Sequence, residues 1–465
     1  MSYIAAQLAD YIVNSSFDEL PPEVIRKVKL CVRDSIGCSL AGSTTSIGKI
    51  LIDTAGDFGG NGPSTIMGSG RKTSPPYAAF INGNMADICE LNEWFGATVV
   101  EPAIAVGELV NATGKQLINA CCLAYELSGR IQPAIWPTPS TSALVHGSGG
   151  HHIFGTAAVA SKLLSLNKEQ TANALGIAGA NAPLPCNMKT IEGDLGNSSM
   201  VKNNFGSAAM VGVFSAMLAK KGFTGPPDIF EGDTGFWKMY GSDRCDFSRI
   251  TDGLGKKYVV MDRGFKFYSA CGATFGTLDA VESIMQKHKI VAEDIEEIVV
   301  KTVSSIAKMP WTNTEAPKTM YEAEFGIPYL VALKITGLAG TPGPGWYTEE
   351  KLKSPEIYEI IKKVKVEPDA ECDHMASEGR RVTKVEINTK GSRYADRVEY
   401  GPELRHRKFK DTDPRGHTLP DQGLEEKFKY LAGLALSKEK VEQLAQLLEE
   451  LEKLENINEL TKLLY

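Results

Sequence analysis

At 465 residues, with 43% hydrophobic and 23% charged, the chain can build two or three soluble globular domains that bury their own cores. A formal net charge of -7 and a pI near 5.7 argue against nucleic acid, whose binders carry a basic face. They leave room for a small anion, since a few lysines in one cleft reverse the local sign.

The N-terminus opens on a folded pattern without the basic and apolar regions of a signal peptide. No apolar stretch is long enough to span a bilayer, so neither a leader nor a membrane partner is expected. Nine cysteines without a C-x-x-C pair give little support to a zinc ribbon or disulfide framework and fit reduced thiols in a cytoplasmic protein.

Val28, Val32, Ile36 and Leu40 form a helical apolar stripe, with Pro21-Pro22-Glu23 as its start and Ala41-Gly42 as its close. Further helices are predicted over 102–110, 116–127, 155–164, 168–178 and 207–220. Their many Ala, Gly and Ser residues suit a closely packed bundle. The texture changes after Phe265: 295–303 and 382–387 are rich in β-branched residues, and 397–400 makes a third strand through Lys390-Gly391-Ser392. Helices at 277–287 and 329–335 lie between them, which reads as a small α+β unit. The tail from Leu424 is helical again, with Val441, Leu444, Leu448, Leu451 and Leu454 at helical spacing; it is short for a coiled coil and reads as a return to the helical core.

His151 and His152 invite a metal reading. Adjacent side chains diverge on most backbones and no acidic or cysteine ligand stands at useful spacing, so packing or capping is preferred and no metal is expected. Gly147-Ser148-Gly149-Gly150 is not a phosphate-binding loop, because no Gly-Lys-Ser/Thr follows.

Several segments together resemble the MmgE/PrpD family. They are L-P-P-E-V-I-R-K-V from Leu20, D-S-I-G-C-S-L-A-G from Asp34, and Ala78-Ala79-Phe80-Ile81-Asn82-Gly83. Phe154-Gly155-Thr156-Ala157-Ala158, Ala174-Leu175-Gly176-Ile177-Ala178 and the run from Leu218 to Pro226 follow in the family's order. The resemblance spans nearly the whole chain. It implies a mainly α fold: a large all-helical domain, 1–266 with 404–465, plus a smaller α+β lid domain, 267–403. It further implies a homodimer, an active site between the two domains, and a small polycarboxylate substrate handled without a cofactor.

The same resemblance assigns candidate residues. The family's active-site histidine stands nine residues before the glycine of its F-G-A-A-A segment, which is His146 here. Lys202, in M-V-K-N-N-F-G-S-A-A, resembles a family lysine, although its spacing to Gly206 is one residue shorter. Lys266 resembles the lysine of a K-x-Y-P-x-C segment at the hinge into the lid. The family's D-x-D-D-T box falls on Glu90-Leu91-Asn92-Glu93-Trp94, keeping acids at Glu90 and Glu93. The H-P that should follow is missing, and a second family histidine falls on Phe275.

Arg130 is a candidate for holding a substrate carboxylate, with an internal ion pair as the equal alternative. Tyr268 can donate to an enolate-like oxygen, with packing as the plainer alternative, and Cys271 reads as a small buried residue. Dehydration needs a base and a placed acid, whereas epimerisation needs proton removal from one face and return to the other. A site short of histidines suits the second task. The expectation is therefore an epimerase, most like the family's iminodisuccinate epimerase, using His146 with Lys202 and Lys266. The alternatives are a lyase of the 2-methylcitrate dehydratase or cis-aconitate decarboxylase type and a non-catalytic ligand-binding relative.

Overall fold

Helix α2 follows α1 (Ile4–Asn14), spans Pro22–Ser43, and shows how the bundle is made. Proline stands in its first turn, where a missing N–H costs nothing. From Cys31 to Ser43 every residue is buried, so Asp34, Ser35 and Ser39 must find partners inside the protein. Around it lie α3 (Ser46–Phe58), α4 (Pro75–Asp87), α5 (Gly96–Val110), α6 (Gly114–Ala134), α7 (Ile153–Leu163), α8 (Lys168–Ala180) and α9 (Phe205–Lys220). Small residues let these helices touch through backbone: a Cβ on Gly42 would fall 2.0 Å from the Met85 carbonyl oxygen. The computed structural model describes residues 3–58, 60–142, 144–145, 149–184, 203, 205–314, 316–400 and 420–465.

Helix α5 departs from expectation. Its start was placed at Pro102, yet it begins at Gly96 and carries Pro102 inside. An interior proline offers no N–H to the carbonyl four residues back, that of Thr98. Here the Thr156 hydroxyl donates to that carbonyl at 2.8 Å, and the helix continues.

The lid is built on a sheet of order β4-β3-β5-β6, preceded in the chain by a small β1–β2 pair at Ser64–Thr65 and Lys72–Thr73. Strand β3 (Ile295–Thr302) pairs in parallel with β4 (Val364–Pro368) and antiparallel with β5 (Arg381–Thr389), which pairs with β6 (Arg393–Tyr400). Ile298, Val300, Val385 and Ile387 bury against α10 (Phe275–His288) and α11 (Ile327–Ile335). Strand β4 was not foreseen: V-K-V-E-P is short, mostly exposed and ends in proline, so nothing but its pairing with β3 makes it a strand.

One hydrophobic core draws on residues from Val24 to Phe265 and again from Leu424 to Leu464. A second draws on Tyr268 to Ile387. The tail enters the first core through α12 (Pro420–Gly433) and α13 (Lys438–Glu449), with Phe428 resting on Gly37 of α2. Among the described residues no helix is long and apolar enough to cross a membrane.

Candidate active site

The acidic box lies in the turn between α4 and α5, where the chain passes from Asp87 to Gly96. Glu90 adopts φ 46°, a left-handed conformation that a non-glycine residue keeps when its surroundings hold it there. Four residues from three distant segments do so. The Ser269 hydroxyl donates to the Cys89 carbonyl at 2.6 Å, and Lys266 Nζ meets Glu90 Oε2 at 2.6 Å. Lys427 Nζ donates to the Leu91 carbonyl at 2.7 Å while forming an ion pair with Asp34 at 2.5 Å. The other Asp34 oxygen accepts the Glu93 amide at 2.9 Å.

Glu93 is turned inward. Its Oε2 accepts the Tyr125 hydroxyl at 3.0 Å and the Phe95 amide at 3.2 Å. Burial raises its pKa, an effect opposed by the nearby Arg263 guanidinium and by these two donors. Lys266 and Glu90 have side chains 12% and 4% exposed, so their pair is shielded from solvent and salt. It joins the first residues of the hinge to the bundle.

On the far side of Phe95 stands His152, its ring 4.4 Å from that of Phe95 and stacked 5.0 Å from Phe205. The Thr98 hydroxyl lies 3.0 Å from the Phe95 carbonyl. His152 Nδ1 lies 2.9 Å from the same hydroxyl. Its Nε2 has no partner among the described residues. Burial holds His152 well below its ordinary pKa, helped by His151 and Arg263, and burial alone pushes His151 to about 3. Both rings are packed core groups, the reading preferred from their adjacency. A small hollow of about 20 Å³ bordered by Gln132, Trp136, His151, Tyr240 and Ser242 includes none of the box or hinge residues. Its one imidazole, that of His151, is uncharged at neutral pH.

Lys266 and Glu90 are thus brought together, while Glu93 turns inward to Tyr125 and the Phe95 amide. Arg130 is not among them: it pairs with Glu126 at 3.0 Å and donates to the carbonyls of Asp252, Gly253 and Lys257. That is the internal ion pair the sequence left open. Tyr268 turns into the lid, where its hydroxyl binds Asp279 at 2.7 Å and Glu282 at 2.8 Å. Phe275, at the place of the second family histidine, packs edge-on against it at 5.6 Å.

His146 and Lys202 lie outside the described residues. Their described flanks meet: Gly149, at φ 92°, approaches so closely that a Cβ would fall 2.2 Å from the Asn203 carbonyl oxygen. Asn203 in turn donates to Asp87 at 2.9 Å, at the end of α4 that leads into the box.

Sequence reasoning missed Asp34, Lys427, Arg263 and Glu101. One had a signal: Lys427 stands on the same face of α12 as Leu424, Phe428 and Leu431. Glu101 is fully buried on α5, where Ser35 and Ser39 donate to it at 2.7 to 3.0 Å. Burial pushes its pKa up to about 7.

Two family models match the chain, the MmgE/PrpD N-terminal domain over residues 6–247 and the MmgE/PrpD C-terminal domain over residues 268–453. Similar proteins include a cis-aconitate decarboxylase of Aspergillus terreus, 24% identical, with 95% of this chain and 92% of that protein covered. A cis-aconitate decarboxylase of Homo sapiens is 26% identical over 99% and 94%, and a mitochondrial 2-methylcitrate dehydratase of Yarrowia lipolytica 22% over 88% and 81%. These relatives are lyases by name and lend nothing to the expected epimerase. With both domain models matched in order across the bundle and the lid, the chain belongs to the MmgE/PrpD family.

Proposed function

We propose that the protein is a lyase that works on a small polycarboxylate by acid–base chemistry without a cofactor. The observation that carries this reading is the buried Lys266–Glu90 pair, set where the hinge into the lid meets the acidic box. A buried ammonium held by a carboxylate is suited to receive negative charge that develops beside a substrate carboxylate. The names of relatives that cover nearly the whole chain favour bond cleavage over inversion.

In a decarboxylation the C–C bond to one carboxylate breaks, carbon dioxide leaves, and the electron pair stays on carbon until an acid protonates it. In a dehydration a base removes the proton beside the carboxylate, and the hydroxyl departs as water with a proton from an acid. We assign the base and acid roles to His146 and Lys202, and the holding of negative charge to Lys266. Glu90 keeps the Lys266 amine in place.

Epimerisation of iminodisuccinate stays as a second reading because Phe275, packed on Tyr268, brings no proton-transfer group to the second histidine position. The test incubates the purified chain in deuterium oxide with cis-aconitate, 2-methylcitrate or iminodisuccinate. Carbon dioxide release or new enoate absorbance is expected from one of the first two. Deuterium uptake with inversion of iminodisuccinate and no cleavage of the others would replace the lyase with the epimerase.

A further inference from the structure

We propose that Arg263 is a carboxylate-binding residue of this site, gripping one carboxylate of the substrate through its guanidinium fork. The inference rests on the polycarboxylate reading above and deepens it. Arg263 lies over the Phe95 ring, 4.7 Å from its centroid, and its Nε is buried with no hydrogen-bond partner among the described residues. It stands three residues ahead of Lys266, at the entrance to the hinge.

Other enclosed cations in this part of the molecule each have an acid of their own. Lys266 has Glu90, Lys427 has Asp34, and Arg130 has Glu126. Arg263 has none among the described residues. The carboxylate whose charge it feels, Glu93, spends Oε2 on Tyr125 and the Phe95 amide and forms no ion pair with it. The imidazole on Phe95, that of His152, carries no charge.

Arg263 carries a fixed positive charge that is felt by Glu93 but meets no ion-pairing acid among the described residues. Its Nε is cut off from water without a partner, and a bidentate carboxylate supplies one. The face of Phe95 sets the guanidinium plane and leaves the edge of the fork for an incoming anion. A substrate with several carboxylates supplies one to Arg263 while another meets Lys266.

The test is isothermal calorimetry of the full chain with tricarballylate, alongside thermal melts without ligand. The wild type is expected to bind, and Arg263→Gln to bind at least about tenfold more weakly, roughly 1.4 kcal/mol. Arg263→Lys should fall between them, because an ammonium keeps the charge and loses the fork. The unliganded Arg263→Gln protein should melt no lower than wild type, since it discards an unpaired charge; a purely structural arginine would lower it. Equal tricarballylate affinity in wild type and Arg263→Gln overturns the proposal, as does a wild type that does not bind tricarballylate. Should Arg263→Gln not fold, an unchanged affinity in Arg263→Lys overturns it and a severalfold loss supports it. A protein that binds tricarballylate through Arg263 but cleaves neither cis-aconitate nor 2-methylcitrate refutes the lyase reading alone.

Discussion

Lys427 and Asp34 form a 2.5 Å ion pair across 393 positions of chain, with side chains 7% and 0% exposed. The pair ties the returning tail to the second helix, and each partner also holds the acidic box, Lys427 at the Leu91 carbonyl and Asp34 at the Glu93 amide. A buried pair is weak evidence for net stability, but half of one is costly. Lys427→Met should therefore destabilise the protein by about 3–5 kcal/mol. Asp34→Asn in the same chain should recover part of it. Chemical unfolding of the two variants checks this, and an unaltered midpoint for Lys427→Met refutes it.

The Lys266–Glu90 pair should be felt in turnover more than in folding. Lys266→Ala is expected to lower kcat/KM by about 10²–10³-fold, the loss typical of one preorganised charge stabiliser. Glu90→Gln should lower it less, because the lysine remains while its anchor weakens. Steady-state rates with whichever of cis-aconitate and 2-methylcitrate is cleaved decide the order. Equal rates for wild type and Lys266→Ala contradict it.

Glu101 predicts a pH dependence of stability. Its carboxyl moves from an ordinary 4.5 to about 7 on burial, so the folded protein holds this proton more tightly than the unfolded chain does. The contribution is full below pH 4.5 and is lost as pH rises through 7. Glu101→Gln removes this dependence while preserving shape. At pH 8 the variant should be more stable than wild type by roughly 3 kcal/mol, and near pH 4 the two should match. Thermal melts across that range test it, and a constant difference would be the wrong result.

Arg130 carries the opposite expectation from Lys266. Glu126 is 0% exposed, so Arg130→Met strands a buried carboxylate and three backbone carbonyls. The loss should appear as about 3–5 kcal/mol of stability, with KM unchanged at temperatures where the variant stays folded. A selective rise in KM without loss of stability would return Arg130 to the substrate.

Much of this molecule was legible beforehand, and the reasons are local. The stripe of Val28, Val32, Ile36 and Leu40, the β-branched run of β3 and the helical spacing of Val441, Leu444 and Leu448 each state a periodicity that the backbone must satisfy. Lys266, Glu90 and Glu93 could be named because they sit inside quoted motifs. The early start of α5 could not, since the hydroxyl that makes Pro102 tolerable belongs to Thr156, on another helix. Strand β4 likewise exists through its partner β3.

The amino-acid order alone settled the strongly periodic helices, the β-branched strands and the motifs they carry, because those depend on neighbours a few residues away. Only the folded chain decided which charges are committed. Arg130 is bound to Glu126 and to carbonyls more than a hundred residues distant, and Lys427 reaches back to Asp34. Desolvation and pairing belong to a place in space, and that place exists after distant segments have packed together.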